Sequence, residues 1–358
     1  MNLNVEEQLA RIRDLRKRTL GIHRKAGENM RRLYEQLQAD PAGLDIAAPM
    51  EVIQEILVMA EKSESCFSYQ PHEIESCEDY LIRHSIGVCT LGAQVLRVFN
   101  DRFGLVVNQH LVSRQDPDVP VSAFPSFRQY QRSEMQEIVL GFLLHDIGMF
   151  LIPASITEKT EDLTPEELDL IRSHSFQQGA QVLRKNRTLN AFLFNIVSYH
   201  HAPLFEGEDR SYPTDLLPVQ LPAYVKICKL VDIFNAMAER RFYQEAANPV
   251  SAVTEIVRKY SFRDPFFQLI LAAFVKAVGV YPPGSVVCLM NGQQAFVLDS
   301  NGPIIIPISD SFGNPLQRSY DPVDLSDHPS ARNYLSVDRR KPLLSPLEYQ
   351  KILPDYLK

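Results

Sequence analysis

Little in this sequence points to disulfides, a membrane or a nucleic-acid surface. Only five cysteines occur in 358 residues, Cys66, Cys77, Cys89, Cys228 and Cys288. Their number is odd and no CxxC pair appears, so neither a disulfide framework nor a zinc knuckle is indicated. Reduced thiols in a cytoplasmic protein are the expectation. No uninterrupted apolar run is long enough to span a bilayer, and residues 1–20 lack the apolar core of a secretory signal. Basic charge is also short: 37 Lys and Arg stand against 44 Asp and Glu, a net charge of −7. That balance argues against DNA binding, which needs a basic face to neutralise phosphates. An anionic substrate must be drawn in locally, by a metal or a few arginines. What is present is ordinary globular material, 45% hydrophobic and 23% charged, enough for a real core.

Periodicity predicts a mostly α-helical chain. Residues 5–37 read as one charged amphipathic helix, with Leu9 and Ile12 opening an apolar stripe that Met30, Leu33 and Leu37 continue. His23, Lys25 and Gly27 interrupt any clean heptad, which favours packing on the chain's own body over a dimerising coil. A second helix is expected over 49–62 and a third over 76–99. Periodicity then dissolves across 105–132, where Asp116-Pro117, Val119-Pro120 and Phe124-Pro125 point to a long irregular insertion. Helices resume over 133–278. Thr164-Pro165-Glu166-Glu167 offers an N-cap, a proline at N1 and a capping-box glutamate, opening a helix that runs through His174. After Gly279, strand-like runs at 285–290 and 294–298 flank Asn291-Gly292, a type I′ hairpin signal; 304–308 is a candidate third strand. The resulting division is an N-terminal helical region over 1–65, a core over 66–280, a small β extension over 281–310 and a surface tail over 311–358.

Histidine is where the sequence becomes specific. The candidates in chain order are His84, His145-Asp146, His174, His200-His201 and Asp232. Each alone has a bland reading as a satisfied core residue or a cap. Together they form two adjacent ionisable pairs inside apolar helical runs. Burying Asp146 within Gly141-Phe142-Leu143-Leu144-His145-Asp146-Ile147-Gly148 is costly unless it is paired or bound to a cation. Imidazole with carboxylate suits iron, manganese, cobalt or zinc. Seven such groups exceed what one tetrahedral site uses, so two metals are indicated.

The order and spacing of these residues resemble the HD-GYP branch of the HD superfamily. The resemblance rests on Leu143 to Gly148, Ile152-Pro153, Leu163 to Glu167, Ile171-Arg172-Ser173-His174 with Gly179 and Leu183, His200-His201, and Tyr212-Pro213. It continues through Val231 to Met237 with Arg241 and Tyr243, and upstream through Tyr80 and His84-Ser85. It implies an HD-domain helical bundle and a metal-dependent phosphodiesterase hydrolysing cyclic-di-GMP to pGpG or GMP through a metal-bridging hydroxide. His84, His145 and Asp232 would ligate one ion, and His174, His200 and His201 the other, with Asp146 bridging both. Iron and manganese are the foremost candidates. Arg241 would grip a phosphate, and Tyr212 and Asn235 would contact substrate. Tyr80 stands where some members carry a glutamate for a third metal, so two are expected. A diguanylate-cyclase (GGDEF) protein and a second copy of the chain are the candidate protein partners.

The sequence also departs from the family pattern. Met149 replaces the lysine of HD-x-G-K, Ser211 the glycine of GYP, and Asn235 an aspartate. The 201–212 loop is long, with Ala202 where glutamate is typical, and 105–132 replaces a short connection. A catalytically weakened cyclic-di-GMP receptor and an HD phosphohydrolase of another nucleotide or phosphoester therefore stand beside the leading reading.

Overall fold

The computed structural model describes residues 5–45, 48–62, 77–103, 129–159, 161–186, 190–238, 247–263, 265–279, 281, 283–299, 303–317, 321–326, 336–344 and 353–357. Among them no helix is long and apolar enough to cross a membrane.

The longest helix, α1 (Val5–Ala39), buries Leu9, Ile12, Leu15, Ile22, Ala26, Met30, Leu33 and Leu37. This is a stripe at three- and four-residue spacing that must find an apolar partner. It finds α2 (Met50–Glu61) and α3 (Cys77–Val98) of the same chain. The end of α1 is tied down by Gln38 Nε2, which donates to Phe150 O at 2.9 Å, and by Tyr34, whose ring centroid lies 5.1 Å from that of Phe150.

At the centre lies α3, buried without interruption over 81–96. Around it pack α2, α4 (Arg132–Leu144), α8 (Ala223–Ala238) and α10 (Pro265–Val278). The chain between α4 and α8 forms α5 (Pro165–Arg172), α6 (Ala180–Lys185) and α7 (Ala191–Tyr199), and α9 (Pro249–Tyr260) follows α8. The expected capping box is present: Thr164 Oγ1 accepts from Glu167 N at 3.3 Å, and Glu167 Oε2 accepts from Thr164 N at 2.8 Å. The helix it opens does not run regularly through His174. It ends at Arg172, and His174–Gly179 winds as a wider π turn, a feature often found at functional sites.

The C-terminal extension is a four-stranded antiparallel sheet in the order β1 (Val286–Cys288), β2 (Gln294–Asp299), β3 (Ile304–Pro307) and β4 (Val323–Asp324). Its first turn is a correction to the sequence reading. A type I′ turn needs two positive φ angles, but within the loop only Gly292 has one, +88°. Gly292 N donates to Leu289 O, Leu289 N to Gln293 O, and Gln293 N to Asn291 Oδ1. The hairpin thus has a three-residue loop with glycine in the left-handed position, because the asparagine side chain caps the turn instead of entering it.

The sheet has two apolar faces. Val286, Phe296, Leu298 and Ile306 join the helical core. Val287, Leu289, Ala295, Val297 and Ile305 form a second cluster, covered by Val323, Leu325, Val337 and Leu343. Part of the segment read as a surface tail is therefore structural: it supplies β4 and bridges Val286 with Leu344 and Leu289 with Val337.

Candidate metal centre

Seven side chains from five elements converge. His84 projects from α3 and Asp232 from α8; His145-Asp146 follow α4, His174 opens the π turn after α5, and His200-His201 follow α7. The local fold explains why these histidines sit where they do. The imidazoles of His145, His174 and His200 each fold back onto a carbonyl of the helical turn just before them. His145 Nδ1 lies 2.9 Å from Phe142 O, His174 Nδ1 2.6 Å from Ile171 O, and His200 Nδ1 3.1 Å from Ile196 O. His84 Nδ1 lies 2.7 Å from Asn235 Oδ1. Carbonyl and amide oxygens only accept, so Nδ1 carries the proton in all four rings and Nε2 presents a lone pair.

Those lone pairs face carboxylates. His174 Nε2 is 3.0 Å and His200 Nε2 3.3 Å from Asp146 Oδ1, His145 Nε2 is 3.4 Å from Asp146 Oδ2, and His84 Nε2 is 3.0 Å from Asp232 Oδ1. His174 Nε2 and His200 Nε2 stand 3.4 Å apart. His145 Nε2 and Asp146 Oδ1 are buried without a well-directed hydrogen bond, although His174 lies close to the latter. Acceptor against acceptor in a buried site is unfavourable unless a cation intervenes. The residues therefore fit a metal: His84, His145 and Asp146 form one group, and Asp146, His174, His200 and His201 another, each with ligand atoms within 4.8 Å of one another. Asp232 spans both sides, its Oδ2 lying 3.8 Å from His201 Nδ1. The carbonyl ends of α4 and α7 add negative potential at the cluster, which favours a cation.

The electrostatics agree. Burial works against charge on Asp146, but the surrounding imidazoles outweigh it and hold the carboxyl well below the usual range. Burial also opposes charge on Asp232, and His84 and His201 bring it low. His200 and His201 are lowered, chiefly by burial, so they remain neutral ligands. Burial pushes His174 down as well, but the Asp146 carboxylate reverses the shift and raises it.

The cluster is open on one flank. Side-chain exposure is 25% at His201, 14% at Asp146 and 12% at Asp232, against 0% at His145 and His200. Tyr212 borders this flank, its ring centroid 4.8 Å from that of His201 and 6.4 Å from that of His174. Burial and the two aspartates push its phenol up, which keeps it a hydrogen-bond donor at neutral pH.

Gly148 has a precise steric role. An added Cβ would stand 1.9 Å from His174 O and 2.7 Å from Gly179 N, so only glycine lets the turn after Asp146 pass so close to the π turn. Met149 follows it, half-buried against the core.

Three expectations need correction or delimiting. Asn235 is fully buried and its amide oxygen engages His84, so it orients a ligand and is not open to substrate. The described residues that bracket 104–128 meet away from His84. Asn100 pins them together, its Oδ1 accepting from Tyr130 N at 2.7 Å and its Nδ2 donating to Tyr130 O at 3.1 Å. Asn100 lies sixteen residues beyond His84, about 24 Å at the helical rise. Residues 105–128, Arg241 and Tyr243 lie outside the described residues.

Sequence reasoning missed a buried polar network beside the site. Lys229, Glu208 and Tyr260 are linked, with Lys229 Nζ 2.9 Å from Glu208 Oε2 and Tyr260 OH donating to Glu208 Oε1 at 2.6 Å. The signal was a lysine inside the apolar run Ile227-Cys228-Lys229-Leu230-Val231.

Residues 128–263 match the family model described as HD domain. The motif series around that match is similar to that of HD-GYP-type proteins. The chain is 27% identical over 229 residues to the cyclic di-GMP phosphodiesterase PA4108 of Pseudomonas aeruginosa, covering 64% of this chain and 47% of that protein. It is 29% identical over 114 residues to the 3'3'-cGAMP-specific phosphodiesterase 2 of Vibrio cholerae, covering 32% of this chain and 21% of that protein. The chain thus spans about half the length, or less, of these curated relatives. A solved structure, the HDG"Y"P protein Bd1817 from Bdellovibrio bacteriovorus, aligns over 74% of this chain and 72% of its own at 15% identity and a TM-score of 0.48.

Proposed function

We propose that this chain is a metal-dependent phosphodiesterase that hydrolyses cyclic di-GMP, with two divalent ions held by seven side chains. The observation that carries the reading is the set of Nε2 lone pairs aimed at the Asp146 and Asp232 carboxylates at 3.0–3.4 Å. His84, His145 and Asp232 would hold one ion, His174, His200 and His201 the other, and Asp146 both. Mixed imidazole and carboxylate donors suit iron or manganese. When bound, such ions supply Lewis acidity toward a phosphodiester and make water a competent nucleophile near neutral pH.

The protein's own contribution is placement. Four of the five imidazoles are locked by Nδ1 bonds, the open flank faces Tyr212, and the Tyr212 hydroxyl remains a donor for a phosphate oxygen. Arg241 supplies the bidentate phosphate contact on the strength of its motif position. Relatives named for cyclic di-GMP and for 3'3'-cGAMP support a cyclic dinucleotide as the substrate class.

One observation favours a second reading. Met149 brings no charge to the position where the motif has lysine, which suits a receptor that binds the dinucleotide without cleaving it. Metal analysis of anaerobically purified protein, with cyclic di-GMP and 3'3'-cGAMP hydrolysis measured on the same sample, tests both. Two ions per chain with conversion of cyclic di-GMP to pGpG or GMP is expected. Folded protein without bound metal overturns the metal centre, and two ions without turnover of either dinucleotide selects the receptor.

A further inference from the structure

Four of the five candidate histidine ligands are oriented by a bond from Nδ1 to a fixed acceptor. His201 is the exception. Among the described residues its imidazole has no hydrogen bond; it approaches Asp232 at 3.8 Å and lies against the rings of His200, His174 and Tyr212. It also stands where regular helix has ended, since α7 closes at Tyr199. With no side-chain hydrogen bond to fix it, its placement depends on the backbone of the loop that it begins and on the Tyr212 ring that closes that loop.

That backbone is held by a single ammonium. Lys229 Nζ is 2.8 Å from Ala202 O, 2.9 Å from Ser211 Oγ, 2.9 Å from Glu208 Oε2 and 3.3 Å from His201 O. The same His201 carbonyl accepts from Tyr212 N at 3.0 Å, so both ends of the loop meet at one point. Glu208 completes the clamp: Oε2 accepts from Leu204 N at 2.6 Å, and Oε1 accepts from Tyr260 OH of α9 at 2.6 Å. The ion pair is nearly sealed, with side-chain exposures of 7% for Lys229 and 1% for Glu208. Lys229 lies three residues before Asp232 on α8, within one helical turn of a candidate ligand.

We propose that Lys229, backed by Glu208, is a positioning residue for the second metal ion: it ties His201 and Tyr212 to the helix that carries Asp232. The inference rests on the two-ion reading above. The bland alternative is that the pair only stabilises the fold. Buried ion pairs are poor stabilisers compared with apolar replacements of similar size, so stability and metal binding separate experimentally.

The test uses the full chain, freed of metal and titrated with Co²⁺, followed by visible absorption and by thermal melting. Two variants are compared with wild type and with His201→Ala: Lys229→Met, and the double variant Lys229→Met with Glu208→Gln, which leaves no unpaired buried charge. In both, the first equivalent should bind as in wild type. The second should bind about 10- to 100-fold more weakly, the loss typical of disturbed outer partners of metal ligands, with a spectrum that matches His201→Ala. The double variant should regain much of the melting temperature lost by Lys229→Met without regaining the second ion. Either variant binding both equivalents with wild-type affinity and spectrum overturns the inference, as does loss of the fold in both. Wild-type protein that takes up fewer than two equivalents overturns the two-ion reading itself, and this inference with it.

Discussion

Asp146 meets His174 and His200 with one carboxylate oxygen and His145 with the other. No other side chain in the cluster belongs to both ligand groups. On the two-ion proposal, replacing it by alanine should take metal content from two ions per chain to below one, because both ions would lose a ligand and their shared negative charge. Elemental analysis checks this, and two fully occupied ions in Asp146→Ala would sink the bridging assignment. Met149 stands three residues on, its N–H donating to Asp146 O at 2.8 Å. A positive group beside a transferring phosphate is commonly worth about 10²–10³ in rate. Met149→Lys should raise kcat for cyclic di-GMP with metal content unchanged. If it changes nothing while Arg210→Ala is damaging, the cation comes from the 201–212 loop, where exposed Arg210 sits at φ +62°.

Elements set the spacing that residues cannot. The turn after Asp146 (Ile147–Leu151) and the π turn (His174–Gly179) touch through backbone, with Gly148 at the contact. In Gly148→Ala something must move, and the nearest neighbours are backbone atoms that cannot swing aside. Overpacking of this kind costs about 1–3 kcal/mol. The expected result is a lower melting temperature and weaker binding of the ion held by His174, read by thermal melting and metal titration. Unchanged values for both would show that the two turns do not depend on each other.

For the molecule as a whole, acid should probe the Glu208–Lys229 clamp. Burial works against the Glu208 carboxylate, but Lys229, Tyr260 and the Leu204 N–H outweigh it and hold the group below its ordinary value. A carboxyl lowered on folding contributes stability that is complete above its unfolded pKa, about 4.3, and that fades as pH falls through the lower native value. With excess chelator present, the melting-temperature gap between wild type and Glu208→Gln should be constant above about pH 5 and shrink below about pH 4. A gap unchanged down to about pH 3 contradicts the assignment.

Much of this protein was legible without coordinates. The stripe in α1, the capping box at Thr164 and the HD-GYP motif series are local patterns of spacing, and spacing is what a sequence carries directly. The seven ligand candidates were visible for the same reason: ionisable groups in apolar helical runs are costly enough to mark themselves. Other features depend on what packs against what. Asn235 became a partner of His84, not of substrate, because α3 and α8 pack side by side. Asn100 meets Tyr130 away from the cluster because α3 carries the chain past His84 before that contact. The apparent tail became the cover of a sheet because β1–β3 are apolar on both faces and one face needed burial. The Lys229–Glu208 clamp is the extreme case: its partners lie 18 to 28 residues away in sequence. Periodicity cannot encode a loop that returns to meet one buried ammonium. Only the packing of the 201–212 loop against α8 and α9 could decide it.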